Sequence, residues 1–122
     1  MSKKTVIIGA TPDRSRYAYL AAQMLTEYDH EIVPVSIKTG SVFGKEILDL
    51  RKKPDIKDVD TVTLYIGTRH LPEWADYILG LKPKRIIFNP GTEYDELAKK
   101  AEEQGIEAVE GCTLVMLRSR QY

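Results

Sequence analysis

Val6-Ile7-Ile8-Gly9-Ala10-Thr11-Pro12-Asp13-Arg14-Ser15-Arg16-Tyr17 decides how the rest of this chain is read. An apolar run suited to a buried strand stops at a glycine, a short polar and basic loop follows, and a helical pattern then begins. Strand, glycine turn and helix start make a ready anion site. The first N–H groups of a helix have no partners within it, and its dipole favours negative charge there. Thr11 and Ser15 add hydroxyls, and Arg14 and Arg16 add positive charge. The second and third glycines of the G-x-G-x-x-G dinucleotide fingerprint are missing. The stretch therefore predicts a nucleotide-shaped ligand and argues against the usual nicotinamide one.

Outward from this turn, strand and helix patterns alternate to the end of the chain. Lys4 to Gly9 reads as the first strand, its consecutive apolar residues suiting a parallel sheet covered on both faces. Tyr17, Leu20, Ala21, Met24, Leu25 and Tyr28 recur at helical spacing, with Ser15 as the expected N-cap. Glu31 to Ile37 is a second strand containing Pro34, and residues 38–60 are the least regular part, with a short element expected around Ile47, Leu48 and Leu50. Thr61 to Ile66 and Lys84 to Phe88 read as further strands, separated by a helix that carries Pro72 in its first turn. Asn89-Pro90-Gly91 is a turn, Thr92 an expected N-cap, and Tyr94 to Gly105 a helix with its stop. Ile106 to Val109 is a fifth strand, and Leu114 to Leu117 a last apolar segment. This order predicts a single α/β domain over residues 1–122, Rossmann-like and three-layered, with a mainly parallel sheet of five strands or slightly more.

Bulk properties narrow the class. With 122 residues, 43% hydrophobic and 30% charged, the chain suits one globular domain with a real core. Lys plus Arg equals Asp plus Glu at 18 each, so no net charge draws the protein to nucleic acid or to a membrane surface. A lone cysteine, Cys112, excludes an internal disulfide and suits a reducing compartment, and neither a signal-peptide pattern nor a membrane-length apolar run is seen. The expectation is a cytoplasmic domain; the apolar C-terminal segment could support a homodimer.

In an open parallel sheet, ligands sit beyond the carboxyl ends of the strands. The exits here are rich in glycine, hydroxyls and bases. A polyanion site is expected at the first, from Gly9, Thr11, Arg14, Ser15 and Arg16. A nicotinamide enzyme would place an acid at the second exit; the chain instead reads Pro34-Val35-Ser36-Ile37-Lys38. Val35 could flank an adenine, and Ser36 and Lys38 could meet a phosphorylated ribose. His70 reads as a helix cap, His30 as a surface residue, and Cys112 as a buried small hydrophobe. Asp49, Asp55, Asp58 and Asp60 read as a solvated loop face, and Trp74, Tyr17, Tyr28 and Tyr94 as core. No metal-ligand spacing occurs, and neither Cys112 nor His70 has an evident orienting partner, so no catalysis is expected.

Taken together, V-I-I-G-A-T-P-D-R-S-R-Y-A at 6–18, I-V-P-V at 32–35, F-G at 43–44, Val59-Asp60, P-G at 90–91, E-E-Q-G-I-E-A-V at 102–109 and G-C at 111–112 resemble the small stand-alone CoA-binding domain proteins. These are related to the N-terminal domain of the succinyl-CoA synthetase α subunit. The resemblance covers nearly the whole chain. It implies coenzyme A, or an acyl-CoA, as ligand. Gly9, Ala10, Thr11, Ser15, Arg16 and Tyr17 would line its phosphates, and Val35, Ser36 and Lys38 its adenosine. Gly44 would lie in a closing loop and Ile66 on the far wall. The chain departs from the family pattern at Ser36-Ile37, usually Asn-Pro, and at Gly67-Thr68-Arg69, usually an Arg-Pro-Pro-like turn, with Arg69 as the stand-in arginine. The alternative is an NAD(P)-binding protein or a redox enzyme fragment. A phosphoacceptor signalling domain lacks its acids at the first and third exits, and a full acyl-CoA synthetase lacks room.

Overall fold

In the computed structural model, which describes residues 2–122, strands and helices alternate as the apolar pattern predicts. The regular elements are β1 (Thr5–Ile8), α1 (Tyr17–Glu27), β2 (Ile32–Ser36), β3 (Ser41–Val42), β4 (Lys45–Glu46), β5 (Leu48–Asp49), β6 (Thr61–Leu64), α2 (Leu71–Gly80), β7 (Arg85–Phe88), α3 (Asp95–Glu103), β8 (Glu107–Glu110) and α4 (Thr113–Arg118). Short 3-10 turns occupy Leu50–Lys52 and Thr68–His70. Six strands form one parallel sheet in the order β5-β2-β1-β6-β7-β8, and β3 and β4 form a separate antiparallel hairpin.

Every residue of β1, β6 and β7 is buried, as two-sided cover requires. The period of two along a strand sends alternate side chains to opposite layers. Val6, Ile8, Val62, Leu64, Ile86 and Phe88 pack with Leu71 and Ile78 of α2 and Leu97 of α3. On the other face, Ile7 and Ile32 pack with Ala22 and Leu25 of α1 and Leu117 of α4. The last apolar segment is thus helical. Pro34 is harmless because β5 pairs only with Val35 and Ser36, leaving the outer edge of β2 at Pro34 with no ladder to donate to.

Residues 38–60 hold more structure than their sequence suggests. The β3–β4 turn is Phe43-Gly44, both with positive φ (48° and 81°), as a two-residue hairpin of twisted strands demands. Val42, Ile47, Leu50, Ile56 and Val59 are buried. The expected loop face of acids is therefore only partly right: Asp55 and Asp58 are exposed, but Asp60 accepts the Thr61 hydroxyl at 2.7 Å and Asp49 binds Arg51. His30 is half-buried rather than a free surface residue: its Nδ1 accepts the Lys3 N–H at 2.9 Å, and its ring lies 4.9 Å from that of Tyr122.

A buried clip joins three elements behind β7. Asn89 Nδ2 donates to Thr63 Oγ1 (2.7 Å) and to the Leu64 carbonyl (2.9 Å), while Asn89 Oδ1 accepts the Thr113 N–H (2.9 Å). The Thr63 and Thr113 hydroxyls share a further hydrogen bond of 2.8 Å. β6, β7 and α4 are locked together at the carboxyl end of the sheet, where the chain order also reverses. From β1 the chain passes to β2 on one side, then returns to β6 on the other. Such a reversal opens a crevice between the two crossovers.

Candidate functional site

At that reversal lies a cleft of about 420 Å³, within the size range of small-ligand sites. Its wall is built from the exits of three strands and the start of α1: Gly9 and Thr11 after β1, Tyr65, Ile66 and Gly67 after β6, Pro90, Gly91 and Thr92 after β7, then Ser15, Arg16, Tyr17 and Ala18, with Lys38 at one side. A hollow of about 650 Å³ at the opposite edge of the sheet is larger, but Lys4, Lys57, Lys82 and Lys84 there alternate with Asp55, Asp58 and Asp60, and no helix start points into it.

Gly9 makes the cleft possible. It has φ +97°, and a Cβ on it would stand 2.8 Å from the Tyr65 backbone carbon and oxygen. The chain can therefore leave β1 closely against β6 only with glycine at this place. The N–H groups of Gly9 and Ala10 both bind the Val35 carbonyl, at 2.8 and 3.3 Å. They pin the loop to β2 and are not free for a ligand, and Ala10 itself is buried in the core. The unoccupied donors lie further on. The N–H groups of Thr11, Tyr17 and Ala18 make no hydrogen bond among the described residues. Thr11, itself buried, accepts the Asp13 N–H at Oγ1 (3.1 Å) and keeps its own proton to donate.

The expected cap at Ser15 is not formed. Arg16 occupies the N-cap position, and no side chain caps α1. The Ser15 hydroxyl and N–H both donate to Asp13 Oδ1, at 2.7 and 2.9 Å, because the turn brings that carboxylate nearer than the helix end. These bonds, reinforced by Arg16 at 3.8 Å, hold the Asp13 carboxyl below the usual range and ionised. The first turn of α1 itself carries no acid; the nearest carboxylate, Asp13, is engaged by Ser15 and Arg16.

Among the residues singled out from sequence, Gly9, Thr11, Ser15, Arg16, Tyr17, Lys38 and Ile66 thus meet in one cleft. Tyr17 is 72% exposed rather than part of a core stripe: it is the first residue of α1 and lines the cleft, while Ala18 beside it is the one buried. Tyr28, at the far end of α1, is likewise exposed, and Trp74 and Tyr94 are half-buried. Arg14 and Arg69 are exposed and stand outside the cleft wall. Val35 is sealed in the core and offers the site only its carbonyl. Ser36 is buried, its hydroxyl accepting the Lys38 N–H at 3.1 Å. Gly44 sits at the hairpin tip, whose Phe43 ring lies 5.0 Å from Tyr19 on α1. Thr92 is not the cap of α3, which begins after Tyr94; its hydroxyl donates to the Asn89 carbonyl at 2.8 Å.

The cleft continues in both directions along the sheet edge. Through Ile66 it meets a pocket of about 280 Å³ formed by Ser36, Ile37, Leu50, Arg51, His70, Glu73 and Trp74. His70 occupies the N-cap position of α2 without making a side-chain cap bond. Through Tyr17, Tyr65 and Pro90 the cleft meets an apolar pocket of about 360 Å³ that Asn89, Cys112, Leu114, Val115 and Arg118 complete. Cys112 is half-exposed at the start of α4, not a buried hydrophobe. Burial pushes the Tyr65 phenol well above its ordinary pKa, so it is neutral and no base. The trough thus has a positive middle and two less polar ends.

The sequence model of the CoA binding domain family matches residues 3–118. The chain belongs to that family. A crystal structure of an uncharacterised protein is 53% identical, covers 100% of this chain and 99% of its own, and superposes with a TM-score of 0.96. A Thermus thermophilus protein (23% identity, 99% and 91% covered, TM-score 0.83) and a hypothetical protein from Pyrococcus horikoshii OT3 (24%, 98% and 84%, 0.82) share the fold. No curated protein matches. Family membership supports a CoA-binding role for this chain in general terms. No helix among the described residues is long and apolar enough to cross a membrane.

Proposed function

We propose that this member of the CoA-binding family binds coenzyme A or an acyl-CoA without transforming it, seating the ligand's diphosphate at the first turn of α1. The observation that carries the reading is the uncapped helix start in the cleft. Three unpaired N–H groups, the Thr11 hydroxyl, Arg16 and Lys38 converge there, at the reversal of strand order. Donors of this kind recognise phosphate oxygens, and the trough on either side has room for the adenosine and for the thiol-bearing arm. Absence of catalysis is inferred from the chemistry of the groups present. Tyr65 is held protonated, Thr11 has no base beside it, and the carboxylate that accepts from Ser15, Asp13, is held at a lowered pKa that makes it a poor base.

Thermal shifts with CoA, acetyl-CoA, NAD, NADP and ATP at matched concentrations test this. A ligand at 100 times its Kd adds about 2.7 kcal/mol, roughly 10 °C for a domain of this size. CoA and acetyl-CoA should stabilise and be recovered unchanged. Stabilisation by NADP alone would establish the dinucleotide reading instead, which the Arg51 side of the trough gives some ground to include.

A further inference from the structure

The acid that seemed missing from the second strand exit is present on the neighbouring strand. β5 pairs with β2 so that Asp49 stands level with Ser36. In dinucleotide-binding sheets, a carboxylate at this level takes the ribose hydroxyls, and an arginine nearby accommodates a ribose phosphate. Here the carboxylate is already engaged. Asp49 Oδ1 accepts the Arg51 backbone N–H and its Nε–H, both at 3.0 Å, and Oδ2 accepts from Nη2 at 3.4 Å. This holds one edge of the guanidinium and leaves its Nη1 edge unused. Arg51 lines the pocket at the β2 end of the trough, where Ile37, Leu50 and Trp74 provide apolar wall. One acid, Glu73, shares that wall from the α2 side, so an anion is favoured only on the Arg51 side.

We propose that Arg51, oriented by Asp49, recognises the phosphate monoester on the adenosine ribose of the ligand, and that this pair selects phosphorylated over unphosphorylated ribose. The proposal rests on the nucleotide reading above, with the adenosine at the β2 end. Occupied by Arg51, Asp49 cannot take ribose hydroxyls, and the planar fork suits phosphate oxygens. Without Arg51, the bare carboxylate would repel the phosphate and be free to accept those hydroxyls, so the preference should vanish or reverse.

Calorimetric Kd values for CoA, 3′-dephospho-CoA, NADP and NAD, with wild type and Arg51→Ala, decide it. The expected result is that wild type prefers CoA over dephospho-CoA by about 10-fold or more, and that Arg51→Ala erases or reverses this by weakening CoA while dephospho-CoA binds as tightly as before or more so. A circular dichroism spectrum and Tm matching wild type serve as the check on folding. Equal wild-type affinities, or a preference that survives Arg51→Ala, would overturn the proposal and leave CoA binding standing. A preference for NADP over NAD that Arg51→Ala abolishes, without CoA binding, would uphold ribose-phosphate recognition and remove the CoA reading. Binding of none of the four would remove both.

Discussion

Replacing Gly9 with alanine places a methyl group against the backbone of β6. Two terms set the size of the effect. At φ +97° an L side chain is strained, which costs about 1–2 kcal/mol. The new Cβ would lie 2.8 Å from the Tyr65 carbonyl carbon and oxygen and 2.9 Å from Ile66 Cγ2, so β1 and β6 must separate, adding about 1–3 kcal/mol. The sum is about 2–5 kcal/mol, a large part of a typical domain's stability. With an unfolding entropy near 0.26 kcal/mol/K for a domain of this length, Tm should fall by roughly 8–20 °C. Gly91→Ala is the internal control. It has a similar φ of +90° but open space around it, so it should lose only the conformational term. Urea denaturation followed by circular dichroism measures both variants. If Gly9→Ala lies within about 0.5 kcal/mol of Gly91→Ala, the close approach of the two strands is not what demands glycine, and the reasoning fails.

Asn89→Ala removes three buried hydrogen bonds between β6, β7 and α4 and should cost about 3 kcal/mol in the same assay; a loss below about 0.5 kcal/mol would dismiss the clip. Burial, with Lys3 and Arg85, holds His30 below its ordinary pKa, and protonation would break its acceptor bond to Lys3. Its contribution is therefore complete above pH 6.5 and lost as pH falls through the lowered folded-state value, so the Tm gap between wild type and His30→Gln should narrow on acidification; a constant gap contradicts this. Arg16→Ala should weaken CoA binding about 3–10-fold and flatten its dependence on salt, as calorimetry at two ionic strengths would register; unchanged binding takes Arg16 out of the site.

The fold was legible because Val6-Ile7-Ile8, Thr61 to Ile66 and Lys84 to Phe88 are long enough apolar runs to declare buried strands, and the helices between them carry clear stripes. β5 was hidden. Two residues give no period, and it shows itself only by pairing with β2. That strand also carries the acid whose apparent absence counted against a ribose contact. Around Gly9 the residue types were readable and their partners were not: Asp13 takes Ser15, and Val35 takes the first two amides of the loop, so the free donors moved to Thr11, Tyr17 and Ala18. Hydrogen-bond competition within a turn depends on a few tenths of an ångström, which spacing along a chain does not encode. Tyr17 misled for a similar reason. Its helical spacing matches the core stripe, but as the first residue of α1 it lies at the cleft with its ring exposed, and the burial begins at Ala18.

A titration of 15N-labelled protein with CoA, followed by amide chemical shifts, tests the central claim most directly. The account predicts that the Thr11, Tyr17 and Ala18 amides move most, with Gly67 and Gly91 following and Lys57, Lys82 and Lys84 at the opposite edge unchanged. Saturable shifts at that opposite edge, or none at the start of α1, would contradict it.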